Sequence, residues 1–158
     1  MSEKVETGKK VPDFKLNATG DKIIRLSKIK NKNIILYFYP KDNTPGCTTE
    51  GKDFNALFNK FSKADTVILG VSRDSIKTHE NFKAKHGFKF DLLSDTEEKL
   101  CKLFDVIKLK KLYGREYLGI ERSTFLLDKN HKLIHEWRKV KVKDHAQEVL
   151  QKVLELNE

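Results

Sequence analysis

Apolar residues along this chain switch between two periods, and the switching predicts its elements. Residues 33–39 form one continuous apolar and aromatic run, Ile34 through Tyr39 after Asn33. Such a run fits a central strand covered on both faces. It stops at Pro40, which has no N–H to give to a ladder. Residues 66–71 and 123–128 predict two further buried strands, and 90–93 a short one. Between them the period lengthens. Phe54, Leu57, Phe58 and Phe61 recur at i, i+3, i+4 and i+7, which predicts a helix over 48–61. Residues 75–85 predict a helix closed by Gly87, and 96–104 another capped by Asp95 or Thr96. A last helix is capped by Asp144 and gathers Val149, Leu150, Val153 and Leu154 on one face. Turn-forming residues 17–21 separate the runs 11–16 and 22–26, which reads as a hairpin. Lys129 and Asn130 turn strand 123–128 into 132–138, a second hairpin.

The resulting order is β-hairpin, βαβαβα, β-hairpin, α. Strands alternating with helices predict an α/β sandwich: a central mixed β-sheet flanked by helices, with an extra N-terminal β-hairpin. No linker or composition break divides the 158 residues, so the expectation is a single domain over 1–158. A chain this long buries about 70% of its unfolded surface, enough to need no metal or disulfide staple. No apolar run approaches the roughly 20 residues of a membrane span. The charged start lacks the apolar stretch of a signal peptide. A cytoplasmic protein with no membrane partner is expected.

Charge changes the picture little. The formal net charge is +9, which raises the alternative of a basic nucleic-acid-binding module. Yet 27 of the 32 basic residues are Lys and five are Arg, whereas base readout and phosphate forks favour Arg. The lysines are dispersed, with short clusters only at 108–111 and 139–143.

The chemistry concentrates at residues 39–50, where a buried strand hands over to a helix. That end of a strand is where α/β sheets bind ligands. Cys47 falls in the first helical turn, where unpaired N–H groups and the helix dipole favour negative charge. A thiol so placed loses its proton more readily than a free one. The competing reading is a small, inert buried cysteine. Pro45 and Gly46 bend the chain tightly before Cys47, and the Thr44 hydroxyl can point into the same pocket. Arg122 stands just before the strand 123–127; on its own it reads as a salt bridge to Glu121, Glu116 or Glu50.

The pattern Pro40-x-x-x-Thr44-x-x-Cys47 resembles the active-site signature of peroxiredoxins. The longer run 37–50 resembles their bacterioferritin comigratory protein, or peroxiredoxin Q, branch. Segments 8–14, 92–95, 114–120 and 122–128 extend the resemblance over nearly the whole chain. It implies a thioredoxin-like three-layer fold and a thiol-specific peroxidase. Hydrogen peroxide and organic hydroperoxides would be its substrates, thioredoxin or another thiol its reductant, and antioxidant defence its purpose. It implies no cofactor and no metal, and a monomer. By matching position, Cys47 would be the peroxidatic cysteine and Thr44 the hydroxyl that bonds thiolate and peroxide oxygens. Arg122 would be the active-site arginine, and Pro40 the residue shielding the pocket from water. Glu50 would orient Arg122 or cap the helix start.

The chain departs from the branch at Lys52, where many members carry a second cysteine. The remaining cysteine, Cys101, lies beside Leu100 and Phe104 on the inner face of its helix. It is either a buried, inert thiol or a resolving one. The second role would require its Cα to come within about 7 Å of that of Cys47. Without it, an external thiol must reduce the sulfenic acid. His131 and His135 are four apart but on a hairpin, so they read as surface residues and not a metal pair. None of the five histidines is tied to Cys47 by spacing.

Overall fold

The computed structural model describes residues 4–158. Along the chain come β1 (Lys15–Ala18), β2 (Lys22–Arg25), β3 (Asn33–Phe38), α1 (Pro45–Ala56), α2 (Phe58–Lys63), β4 (Thr66–Ser72) and α3 (Ile76–His86). Then follow β5 (Asp91–Ser94), α4 (Lys99–Leu103), β6 (Ile107–Leu112), β7 (Arg115–Ile120), β8 (Ser123–Leu127), β9 (Leu133–Trp137) and α5 (His145–Leu156). Seven strands form one mixed sheet in the order β2-β1-β5-β4-β3-β8-β9. β3, β4 and β5 run parallel, while β8 and β9 continue the sheet antiparallel. The β1–β2 hairpin joins the far side antiparallel to β5.

Every residue of β3 is buried, as a central strand with helices on both sides requires. Its alternation sorts the core into two layers. Ile34, Leu36 and Phe38 face a layer with Leu100, Cys101, Phe104 and Phe125. Ile35, Tyr37 and Tyr39 face the other, with Cys47, Phe54, Phe61, Phe82, Val149 and Val153. Thus α1, α2, α3 and α5 cover one face of the sheet, and α4 lies against the opposite one.

Several boundaries differ from the sequence reading, each for a local reason. The first hairpin pairs Ala18 with Lys22, so Asn17 and Ala18 belong to the strand. Its turn is tightened by positive φ at Gly20 and Asp21. The helix expected over 48–61 starts at Pro45, whose fixed φ suits a first helical position, and it breaks at Leu57. Near that break the Asn55 side chain donates to Gly87 O and accepts from Lys89 N, fixing α1 against the loop after α3. Helix α4 begins at Lys99 rather than 96, although Asp95 still accepts from the Leu100 and Cys101 amides. Asp144 stands at the start of α5 with a left-handed backbone, φ 62°, in place of the extended one a capping side chain uses, and its carboxyl makes no capping hydrogen bond. Leu154 is exposed, so the apolar face of α5 is His145, Ala146, Val149, Leu150 and Val153. The β6–β7 hairpin was not anticipated. It forms its own two-stranded sheet, mostly exposed on both faces, so no buried side imposes an alternation on its sequence.

Gly51 of α1 sits hard against the Phe88 ring: a Cβ there would approach Phe88 Cζ to 2.5 Å. That ring cannot yield freely, because Phe82, His86 and Phe90 all pack on it. An alanine in a helix gains about 1 kcal/mol over glycine, but overpacking costs about 1–3 kcal/mol. Gly51→Ala is therefore expected to lower stability in urea unfolding, and a stabilised variant would contradict this packing.

Candidate active site

The carboxyl end of β3 opens into a loop, residues 39–44, that delivers the chain to α1. Thr44 stands at the N-cap in extended conformation (φ −85°, ψ 152°), and Pro45 follows at the first helical position. Cys47 is then the third residue of α1. Its amide and that of Gly46 lie among the first-turn N–H groups that an α-helix leaves without internal acceptors. The Thr44 side chain does not cap them. Its hydroxyl donates instead to Lys41 O, 2.8 Å away. The first turn therefore places two unpaired donors and the positive end of its dipole at the residue that carries the sulfur.

Cys47 is 2% exposed, on the sheet face shared with Tyr37 and Phe54. Arg122, in the link between β7 and β8, reaches across from the sheet. Its Nη2 donates to Cys47 Sγ at 3.3 Å and its Nη1 to Glu50 Oε1 at 2.6 Å. The guanidinium passes directly over Gly46, where a Cβ would approach Nη2 to 3.1 Å. Only 16% of the Arg122 side chain and 1% of Glu50 are exposed, so this is no surface salt bridge. Glu116 pairs elsewhere, with Lys111.

Burial pushes the Glu50 carboxyl up to about 7, against the opposing pull of Arg122. Its Oε2 has no hydrogen-bond partner, nor does the buried Tyr37 hydroxyl on the same side of the sheet. Burial, then Glu50 and Cys47, hold the Tyr37 phenol well above its ordinary value. Lys110 of β6 belongs to the same surroundings. Burial first, and then Arg122, depress its ammonium, while Cys47 opposes them.

The structure thus brings Cys47, Arg122 and Glu50 into contact and places Thr44 one turn of chain away, bonded to Lys41. Pro40 is half-buried at the start of the loop. Cys101 is fully buried on the other face of the sheet, its thiol pushed far up by burial and then by Asp95. Both cysteines are free. Lys52 is exposed on α1. His131 and His135 are half-buried, one bonded to Ile29 O and the other packed on Trp137. Sequence reasoning missed Tyr37, Lys110 and two buried histidines. His145 bonds Thr124, and burial lowers it to about 4. His79 bonds Asp42, in the loop before Cys47. Asp42 lay within the signature run and was the one available signal.

Comparison with known proteins bears on the same arrangement. The AhpC/TSA family model matches residues 7–136. Peroxiredoxin Bcp of Bacillus subtilis is 54% identical over 98% of both chains. Peroxiredoxin Bcp of Xanthomonas campestris is 56% identical over 87% of this chain and 86% of its own. Among solved structures, the Xanthomonas campestris bacterioferritin comigratory protein, studied for alkyl peroxide reduction, superposes with a TM-score of 0.91. It is 49% identical and covers 97% of this chain and 100% of its own. A C47S mutant of Xylella fastidiosa PrxQ superposes with a TM-score of 0.93 at 45% identity, over 99% and 100%. These matches carry the same thioredoxin-like sandwich as the sheet described above.

The Glu50 carboxyl has a definite sign in stability. Its folded value, about 7, lies above the ordinary 4.5, so the folded state holds more protons between those limits. Stability attributable to Glu50 is therefore lost as pH rises from 4.5 to 7. Glu50→Gln should gain stability relative to wild type at pH 8 compared with pH 5. Urea unfolding at the two pH values tests this, and an equal difference at both would contradict it.

Proposed function

Since this chain belongs to the AhpC/TSA family and is a peroxiredoxin of the Bcp/PrxQ kind, we propose that Cys47 is the thiol on which its peroxidase reaction turns. The protein is an oxidoreductase that takes a peroxide as substrate and a thiol as reductant. The observation that supports this assignment is the 3.3 Å approach of the Arg122 guanidinium to the sulfur at a helix start.

In the proposed step, the Cys47 thiolate attacks the nearer oxygen of a hydroperoxide ROOH. The S–O bond forms as the O–O bond breaks, giving a sulfenic acid and the alkoxide RO⁻, which takes a proton to leave as alcohol, or as water when R is hydrogen. Negative charge spreads from sulfur over two oxygens during the attack. Donors fixed beforehand along that line stabilise it more than the ground state. Arg122 and the free amides of Gly46 and Cys47 supply them. The Thr44 hydroxyl has its hydrogen committed to Lys41 O, so its oxygen is free to accept the O–H of the incoming peroxide. Pro40 keeps water from the loop side of the pocket.

The sulfenic acid must then be reduced. Cys101 is on the far face of a seven-stranded sheet, and linking it to Cys47 would require dismantling the core between them. The reduction we propose is by an external thiol. It condenses with the sulfenic acid to a mixed disulfide and water; a second donor thiolate then attacks the donor sulfur, Cys47 leaves as its thiolate, and the donor is left oxidised as a disulfide. Thioredoxin or a small thiol fits that role, and hydrogen peroxide and organic hydroperoxides fit the oxidant. The comparisons offer no support for a nucleic-acid-binding module.

Peroxide consumption with dithiothreitol as donor tests the assignment. Cys47→Ser should abolish it, and Thr44→Val, which removes the oxygen that positions the peroxide, should slow Cys47 oxidation by about ten- to a hundredfold. Cys101→Ala should leave turnover unchanged, and peroxide-treated wild type should show no intramolecular disulfide in non-reducing mass spectra. Equal rates for wild type and Cys47→Ser would overturn the reading.

A further inference from the structure

Beneath the loop that precedes Cys47 lies a buried polar cluster that the reaction above does not use. His79 of α3 is 0% exposed, and both of its ring nitrogens face acceptors. Nδ1 lies 2.7 Å from Asp42 Oδ2, and Nε2 lies 2.9 Å from Leu93 O on β5. A carbonyl only accepts, so Nε2 carries a hydrogen. The contact between Nδ1 and the carboxyl needs a second hydrogen between the two atoms. Asp42 and His79 together therefore hold two hydrogens and form a buried pair with no net charge.

Asp42 is further fixed from two sides. Its Oδ1 accepts the Tyr39 hydroxyl at 2.6 Å, and its backbone N–H donates to Asp74 Oδ2 at 2.9 Å. Asp74 is held in turn by the Ser72 hydroxyl at 2.5 Å, and its carbonyl by the Ser94 hydroxyl at 2.6 Å. The titratable groups facing the ring are Tyr39, Asp42 and Asp74; Tyr39 also packs against the ring and Phe82. Two carboxylates and a histidine resemble a metal set in composition. A metal ion at about 2.0–2.2 Å from each ligand would hold those ligands farther apart than 2.7 Å, so the spacing fits a proton.

From this geometry we infer that His79 is a positioning residue for the peroxidase reaction, holding the loop of Pro40 and Thr44 in register with Cys47 through Asp42. The inference rests on Cys47 being the reacting thiol. The connection is short: His79 fixes Asp42, the neighbouring Lys41 carbonyl fixes the Thr44 hydroxyl, and Thr44 stands at the entry to the helix that carries the sulfur. Removing the shared proton would set an imidazole lone pair against a buried carboxylate or against the Leu93 carbonyl. The loop would then loosen, while Cys47, Arg122 and α1 are untouched.

The test separates loop geometry from thiol reactivity. Oxidation of Cys47 by hydrogen peroxide is timed beside its alkylation by iodoacetamide, which needs the thiolate but no peroxide pocket. His79→Phe should slow oxidation about ten- to a hundredfold while alkylation stays within about twofold of wild type. Asp42→Asn offers an amide that donates to a neutral His79 and still accepts from Tyr39, so the anchor persists. Its oxidation-to-alkylation ratio should stay within about threefold of wild type. A wild-type ratio in His79→Phe, or an Asp42→Asn ratio as low as that of His79→Phe, would overturn the inference. Should His79→Phe fail to fold, Asp42→Ala, which removes the partner carboxyl, is read in its place, and a wild-type ratio there would overturn the inference. A wild-type Cys47 inert to peroxide would instead overturn the functional reading itself.

Discussion

One guanidinium joins the two halves of this site. Arg122 is anchored by the sheet, between β7 and β8, and it reaches a sulfur on α1 and a carboxyl one turn further along that helix. Burying a charge is costly unless it is paired and hydrogen-bonded, and here both conditions are met by two partners from a single helix. The constraint propagates outward. Residue 46 must be glycine-small for the guanidinium to pass over the helix start. Burial raises the Glu50 carboxyl to about 7 while Arg122 pulls it the other way, so the two groups hold each other in place beside the sulfur. Helix α1 must begin at Pro45, so that Cys47 falls among the free amides of the first turn.

The sheet imposes a second constraint, on the cysteines. Alternation along β3 sends Tyr37 and Phe38 to opposite layers, and the two thiols go with them. Cys47 shares its layer with helices α1, α2, α3 and α5, whereas Cys101 is sealed under α4 beside Phe104. An internal disulfide between them would compete with the hydrophobic core itself. That makes the proposed dependence on an external thiol a consequence of topology as much as of the lysine at position 52.

The sequence was most legible where burial is complete on both sides. The β3 run and the 123–127 strand appear nearly as read, and Phe54 and Phe61 both reach the core although the helix between them breaks at Leu57, because apolar periodicity directly reflects the layers that cover them. The signature around Cys47 was legible for a related reason: Pro45 and Gly46 have few backbone uses other than a tight entry to a helix. What stayed hidden had no one-dimensional trace. The β6–β7 hairpin carries no buried face. Asp144 looked like a cap, but its left-handed backbone denies it the geometry. His79 and His145 are polar residues satisfied by partners 37 and 21 positions away, and only the folded chain pairs them.

The central claim is that the Arg122 charge stabilises the sulfur as it attacks the O–O bond. Its most direct test is stopped-flow oxidation of Cys47 by hydrogen peroxide in wild type and Arg122→Met, with and without added guanidinium ion. The account predicts a slowing of about a hundred- to a thousandfold in the variant, partly restored by guanidinium. Oxidation of Arg122→Met at the wild-type rate would contradict it.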